Sequence, residues 1–449
     1  MVKINNILKD VIHILGVWLP ARIKYSDTPG LSIVISHKGK ILYKDGFGYA
    51  DVEKKIKTKE DSIYHIASIS KTFTTVAILQ LVEKNKLKLN DEVSKYLKWF
   101  KGKNKTGRLE DITIKQLLSN TSGIWRDGDT SHWVTGKFPK SLKSLPTDTL
   151  IFKPSSEFKY SNFGFSILGE VIKSASGLIY EKYVQENILD VLNLKHTYPD
   201  YKNGIKGVAT GYGKAITGQK REKFGHHKTN SYMSATGFLS DAIDLAKYTY
   251  NLFPKSGHLI LKNNSKKEMM RPRVKTDGKD KYCLGLEERK INGRKIYGHG
   301  GGFQGFCTNT VFDPISEIGV VILTNSIQAP VDLFTTSLLQ TVYNLLDENK
   351  KYSLNKNTNL DKYEGVYRNL WGDSVVVRAG NALVTFGLYT HSPLQGDNKR
   401  FLVPIGKDKF IVKGGSGFHS KGETVKFSGS KKGKFQTVFF GPTPSKRIV

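Results

Sequence analysis

The stretch Thr74-Thr75-Val76-Ala77-Ile78-Leu79-Gln80-Leu81-Val82 is apolar on nearly every face of a helix. Such a helix has no solvent side, so it belongs at the centre of a domain large enough to surround it. A chain of 449 residues can supply that core, and its length favours two domains over one. Asn85 can take the left-handed conformation that stops the helix, and Asp91 suits a following helix start.

Ser68-Ile69-Ser70-Lys71 opens this run. Residues three apart share one helix face, so the Lys71 amine can reach the Ser68 hydroxyl. A serine at a helix start also keeps an unpaired backbone N–H, in a field that favours a developing oxyanion. A free lysine has a pKa of ~10.4. Acting as a base near neutrality requires burial and nearby positive potential to lower it by several units, and a central helix supplies the burial. The spacing is not distinctive by itself, because Ser156 with Lys159, Ser353 with Lys356 and Ser428 with Lys431 repeat it. None of those opens a long apolar helix. A helix cap beside a solvated lysine is the competing reading of the tetrapeptide.

The formal charge of +30 attracts nucleic acid and anionic surfaces in general. Its lysines are scattered from end to end, and no nucleic-acid-binding module is recognisable, so a nonspecific attraction of a solvated basic surface is the expectation. No stretch approaches the ~20 apolar residues of a membrane span. Ile4, Ile7, Leu8, Val11, Ile12, Leu15, Trp18 and Leu19 fall at helical spacing. An amphipathic first helix is therefore preferred over a signal core, and an intracellular location over a secreted one. Cys283 and Cys307 make no disulfide framework and lack metal-ligand spacing, so both read as free buried thiols. His226-His227 lies in a polar stretch without cysteine or carboxylate neighbours and reads as a solvated loop. No metal and no organic cofactor is implied.

The first part of the chain mixes strand and helix patterns. A hairpin, Leu31–Ile35 and Ile41–Tyr43, comes first; helices follow over Asn162–Ser176 and Ser240–Leu252. Strands return at Lys295–His299, Phe306–Phe312 and Gly319–Thr324, and Asp332–Leu346 reads as a closing helix. Strands at both ends with helices between predict an α/β fold whose sheet is assembled from the two ends. Residues 348–360 are polar and read as a linker between a domain of residues 1–347 and a small all-β domain, barrel or meander, of residues 361–449.

An acyl-transfer serine needs a second proton-handling group, a partner for the substrate amide and a second oxyanion donor. Tyr160-Ser161-Asn162, just before a helix, can project a phenol and an amide into a cleft. His299-Gly300-Gly301-Gly302, after the strand Arg294–Tyr297, would let a substrate lie against a strand edge. Each has decoys, Tyr201-Lys202-Asn203, Tyr367-Arg368-Asn369 and His37-Lys38-Gly39, and each alone also reads as a structural loop.

Taken in order, these segments resemble the penicillin-recognising serine hydrolases: class C β-lactamases, D-alanyl-D-alanine carboxypeptidases, related esterases and D-aminopeptidases, and mitochondrial β-lactamase-like proteins. The resemblance runs over nearly the first 345 residues. It includes Pro29-Gly30-Leu31-Ser32, Ile66 to Thr74, Ile114 to Ile124, Phe152-Lys153-Pro154, Thr236 to Ser240, Tyr282 to Leu286 and Leu323-Thr324-Asn325.

The resemblance implies a β-lactamase/transpeptidase-like fold, an antiparallel sheet flanked by helices with a helical subdomain. It implies a serine hydrolase acting on β-lactam, peptide amide or ester bonds through an acyl-serine. Ser68 is then the nucleophile, Lys71 its base, Tyr160 a proton relay, Asn162 a partner for the substrate amide, and Gly302 the second oxyanion N–H. His299, with Gly300 and Gly301, stands where many members carry lysine with threonine or serine, which weakens recognition of a substrate carboxylate. Asn120 and Ser155 replace a common histidine and glycine, read as changes of loop shape. The last domain resembles the lipocalin-like appendages of D-aminopeptidase-like members. A penicillin-binding acyl-enzyme, a D-aminopeptidase or esterase, and a catalytically vestigial scaffold or basic nucleic-acid-associated protein are the alternatives. The natural substrate and the oligomeric state are left open.

Overall fold

The protein is described by a computed structural model covering residues 4–127, 131–142, 150–352, 359–416 and 420–449. Its contacts divide the chain into two compact units, Thr28–Val331 and a second made of Met1–Asp27 with Asp332–Val449.

The first unit is built on a nine-stranded antiparallel sheet. The strand Gly30–His37 is buried along its whole length, because it is paired on both sides. One neighbour is its hairpin partner Lys40–Asp51, and the other is Ile318–Thr324, with Leu31 opposite Thr324 and His37 opposite Ile318. The two ends of the unit therefore meet in mid-sheet, as the alternation of strand and helix patterns predicted. Beyond Ile318–Thr324 follow Phe306–Asp313, Arg294–Phe303 and Glu287–Ile291.

The apolar run forms the helix Ser70–Glu83, in which every residue from Ser70 to Leu81 is buried. Its polar side chains are tolerated there because they find partners. Thr74 Oγ1 donates to the Ser234 carbonyl at 2.6 Å, Thr75 Oγ1 to the Lys71 carbonyl at 2.8 Å, and Gln80 Nε2 to the carbonyls of Asn187 and Ile260. Asn85 ends the helix with φ +55°. Around it pack the helix Asn162–Ser176 and the π-type turn Met233–Gly237.

In the second unit eight antiparallel strands close into a barrel, Gly365–Asn369 pairing with Thr443–Arg447 to complete the ring. Residues 374–378, 383–386, 400–404, 410–413, 424–427 and 435–440, which read as short strands between glycine turns in the sequence, all lie in it. The first and last strands were not read; both are five residues long and the last is polar, but they are what makes the sheet a closed barrel. Its interior is filled by side chains including Tyr363, Tyr367, Phe410, Phe427 and Phe435. The amphipathic helix Ile4–Tyr25 packs against the barrel, Trp18 Nε1 donating to the Thr390 carbonyl and Arg22 Nη1 to that of Tyr389, both at 2.9 Å. Trp18 also meets Phe334 edge-on at 6.0 Å.

The closing helix spans Val331–Tyr352, longer than the sequence reading and running into the expected linker. Residues 353–358 of that linker, with Ser353 and Lys356, lie outside the described residues. The sequence reading groups the first and closing helices with the residues up to 347, whereas the contact division groups them with the barrel. Among the described residues no helix is long and apolar enough to cross a membrane.

Candidate active site

Ser68 sits on a single 3-10 turn, Ala67–Ile69, that leads into the central helix. From Ser62 to Leu81 it is the one residue that is not buried, so of the hydroxyls in this segment only this one is open to solvent. The turn is reached through Ala67, whose φ of +50° is a left-handed conformation that a residue with a side chain adopts at a cost of about 1–3 kcal/mol. Neighbours hold it there. Ile66 N–H donates to the Phe238 carbonyl at 2.9 Å, Thr308 Oγ1 to the Ile66 carbonyl at 3.1 Å, and Ser70 Oγ to the Ala67 carbonyl at 2.5 Å.

Lys71, one turn on, is fully buried. Its Nζ lies 3.1 Å from Ser68 Oγ, 2.6 Å from Asn162 Oδ1 and 2.8 Å from the Ala235 carbonyl. Burial holds its pKa well below the ordinary lysine value; Asp127 opposes the shift and Arg126 adds to it. The Asn162 amide is fixed in direction because its Nδ2 donates to Asp127 Oδ1 at 2.6 Å, which leaves Oδ1 to face Lys71. Asp127 also accepts from Arg126 Nε at 3.1 Å. Asn162, expected to meet a substrate amide, thus has both ends of its own amide engaged within the protein.

Asn162 and Tyr160 are delivered by the start of the helix Asn162–Ser176. Ser161 caps it, Oγ accepting from Gly164 N–H at 2.8 Å, and the Asn162 N–H donates to the Arg126 carbonyl at 2.8 Å. Tyr160 is half-buried, with its ring centroid 4.8 Å from Lys71 Nζ and 5.3 Å from the Arg126 guanidinium carbon. Burial pushes its phenol above the ordinary range, and a hydrogen bond with Ser68 offsets this only in part. It is therefore protonated near neutrality.

The strand that runs past Ser68 does not stop before the glycines. It runs from Arg294 to Phe303, through His299, Gly300, Gly301 and Gly302. The reason is contact: a Cβ on Gly301 would lie 2.2 Å from the Ile66 carbonyl oxygen and 2.3 Å from Thr308 Oγ1, so only glycine lets the strand pass the Ser68 turn this closely. At Gly302 a Cβ would meet nothing within 4 Å, so that residue borders open space.

His299 is buried. Its Nε2 lies 3.1 Å from the Tyr282 hydroxyl and its Nδ1 2.6 Å from the Gly300 carbonyl. Burial lowers its pKa to about 4, Glu287 opposing, so the imidazole is neutral at physiological pH.

The structure brings Ser68, Lys71, Tyr160, Asn162 and the His299 strand into one cluster, and among the described residues no serine decoy shares that environment. Ser428 lies in a barrel strand and Ser156 is exposed. Asn120 and Ser155 both take left-handed backbone, φ +55° and +68°. Asn120 Oδ1 accepts from the Ser161 N–H at 3.0 Å, so the loop change also supports the Tyr160 segment.

Sequence reasoning missed Arg126, Asp127, the Ala235 carbonyl and Glu287. A backbone carbonyl leaves no side-chain signal, but the charged pair Arg126-Asp127, separated by one residue from the segment Ile114 to Ile124, was a usable one. His226 departs from the solvated-loop reading: it is half-buried, with its ring centroid 5.4 Å from that of buried His65. Of the two free thiols, Cys283 is buried and Cys307 half-buried. Among the described residues no group of three or more His, Cys, Asp and Glu is placed to hold a metal ion.

A family model described as Beta-lactamase matches residues 21–339. Protein flp of Staphylococcus aureus (strain N315) is 33% identical over 305 residues, 66% of this chain and 59% of that protein. The mitochondrial serine beta-lactamase-like protein LACTB of Homo sapiens is 27% identical over 348 residues, 58% of this chain and 63% of that one. The chain thus spans roughly three fifths of the length of each of these curated relatives. An octameric penicillin-binding protein homologue from Pyrococcus abyssi has the same fold, with a TM-score of 0.66 at 23% identity over 97% of this chain and 99% of that one. The family model matches most of the sequence, and the neighbour shares the fold: this chain belongs to the beta-lactamase family.

Proposed function

We propose that the protein is a serine hydrolase that acylates Ser68 with a β-lactam, an amide or an ester and then hydrolyses the acyl-enzyme. The observation that carries this is the set of three oxygens around Lys71 Nζ. Three oxygens can accept from the three donors of an ammonium. Burial, however, favours the neutral amine, which has two N–H donors and one lone pair, so one of the three partners must then donate to it. Two are pure acceptors here, Asn162 Oδ1 and the Ala235 carbonyl. The third, Ser68 Oγ, can donate, so the lone pair faces the hydroxyl proton. The depressed pKa of the buried amine agrees with this.

In this reading the Ser68 proton passes to Lys71 Nζ as Oγ attacks the carbonyl carbon. The oxyanion is met by the backbone N–H groups of Ser68 and Gly302. Tyr160 hands its phenol proton to the leaving nitrogen or oxygen and is reprotonated from the Lys71 ammonium. A water then attacks the ester carbonyl with its proton taken up along the same route, and Ser68 leaves with a proton. Asn162 acts on Lys71, holding the amine in register through Asp127. His299 is a neutral wall of the cleft, with Gly300 and Gly301 beside it.

The test uses a chromogenic cephalosporin, chosen because the names of two relatives refer to β-lactams, with a panel of nitrophenyl esters and D-amino-acid peptides. Product release and intact protein mass are followed for the native protein and for Ser68→Ala. Turnover that needs Ser68 supports the reading. A stable adduct without turnover makes the protein a penicillin-binding acyl-enzyme. Neither over the whole panel removes both and leaves a vestigial site.

A further inference from the structure

A site that accepts an anionic substrate needs a cation that stays charged and reachable. The strand wall lacks one. His299 is buried, both its ring nitrogens lie within hydrogen-bond distance of protein oxygens, and Gly300 beside it has no hydroxyl to offer. Arg289, on the neighbouring strand, is engaged by Glu287 at 2.5 Å and by Asp280 at 3.6 Å. Lys71 is enclosed.

The opposite wall carries Arg126. Its backbone is fixed, the carbonyl accepting from the N–H groups of Asn162 and Phe163 at 2.8 and 3.0 Å. One edge of its guanidinium is fixed as well, Nε donating to Asp127 Oδ2 at 3.1 Å. The group lies over the Tyr160 ring at 5.3 Å, yet the side chain is 63% exposed. Among the described residues its two terminal nitrogens meet no acceptor. A guanidinium anchored at one edge and open at the other presents parallel N–H donors with the spacing of a carboxylate. Its place against Tyr160, the proton donor to the leaving group, puts that open edge on the leaving-group side.

We propose that Arg126 makes this site select substrates that carry a carboxylate or similar anion on the leaving-group side of the scissile bond. This rests on the hydrolase reading above, and it adds a specificity residue where the strand wall offers no charge. Asp127 offsets part of the charge but occupies only Nε, its oxygens being turned to that atom and to Nδ2 of Asn162, which leaves the terminal N–H groups for a ligand. Arg289, by contrast, is engaged through its terminal Nη2 as well.

The experiment compares 4-nitrophenyl acetate with 3-carboxy-4-nitrophenyl acetate, which differ by one carboxylate on the leaving group. The readout is the ratio of kcat/KM for the anionic over the neutral ester. Reporting a ratio separates binding of the anion from any general damage to Lys71 or Asn162, which lowers both substrates alike. In Arg126→Gln the ratio is expected to fall about ten- to a hundredfold, the size of one charge-assisted hydrogen-bond pair. Arg126→Lys should keep part of it, and Arg126→Glu should lower it further. All three are checked for native circular dichroism. A ratio unchanged within about twofold in Arg126→Gln and Arg126→Glu overturns the proposal, as does an equal loss on both esters. If the native protein with intact Ser68 turns over neither ester and forms no adduct, the hydrolase reading itself falls, and the selectivity proposal with it.

Discussion

Among the described residues two lysines are buried, and in the proposed reading they do different things. Lys71 and Lys266 are each within hydrogen-bond distance of three oxygens, and burial lowers the pKa of both, that of Lys266 to about 8. Around Lys266 the partners are the carbonyls of Phe253 and Gly257 and the Ser256 hydroxyl, all within one turn-rich segment that the amine ties together. Around Lys71 they come from three separate elements, and one is the single accessible hydroxyl of the central segment. Burial and a lowered pKa are therefore common to a lysine that ties a loop together and to the one proposed as a base. What separates them is the outlet: Lys71 faces a hydroxyl that solvent and substrate can reach.

The same substitution at both positions tests that distinction. Lys71→Met is expected to lower kcat/KM about a thousandfold or more, because the base is lost with the fold retained. In Lys266→Met activity per folded molecule stays within about twofold, while chemical denaturation shows a stability loss of about 1–3 kcal/mol from carbonyls left without a donor. Equal activity losses at both positions would break the comparison.

The glycines of the facing strand give a second pair. Gly301→Ala should cost about 1–3 kcal/mol of stability and slow the proposed acylation, since its Cβ would press on the Ile66 carbonyl just before the Ser68 turn. Gly302→Ala, with nothing within 4 Å, should leave the melting temperature within a degree or so.

Two smaller effects depend on pH. The folded pKa of Lys266, about 8, lies below its ordinary 10.5, so between those values the unfolded chain holds a proton that the native one has released. Native stability gains from this group as pH rises through that window. The gap between native protein and Lys266→Met should accordingly widen from pH 8 towards pH 10. His299 has the same sign at lower pH: its folded pKa, about 4, lies below the ordinary 6.5, so its contribution is present above pH 6.5 and is lost as pH falls towards 4. Denaturant titrations of His299→Gln should show a shallower acid decline than the native protein.

Much of this architecture was legible in the sequence, where side-chain pattern and structure obey the same period. The buried helix, the hairpin, the Asn162–Ser176 helix and the pairing of Ser68 with Lys71 all follow from spacing and apolar content. The unread parts have physical reasons. The strand Arg294–Phe303 runs through three glycines of low strand propensity, because close packing on the Ser68 turn demands them. The barrel-closing strand Thr443–Arg447 is polar and contains proline, which hid its pairing. The left-handed Ala67 and the Ala235 carbonyl at Lys71 are backbone features, set by tertiary contact and invisible in residue type. Asp127 was visible as a residue, but its tie to Asn162 joins positions 35 apart that no local pattern connects.

The central claim is that Lys71 is neutral near physiological pH and takes the Ser68 proton. The most direct measurement is the rate at which a fluorophosphonate labels Ser68, read by intact mass between pH 5 and pH 10.5, in the native protein and in Lys71→Met. The account requires a rate that rises and reaches its plateau well below the ordinary lysine pKa, with that inflection and most of the rate absent from the variant. A native rate still climbing at pH 10, or a variant labelled as fast as the native protein, would contradict it.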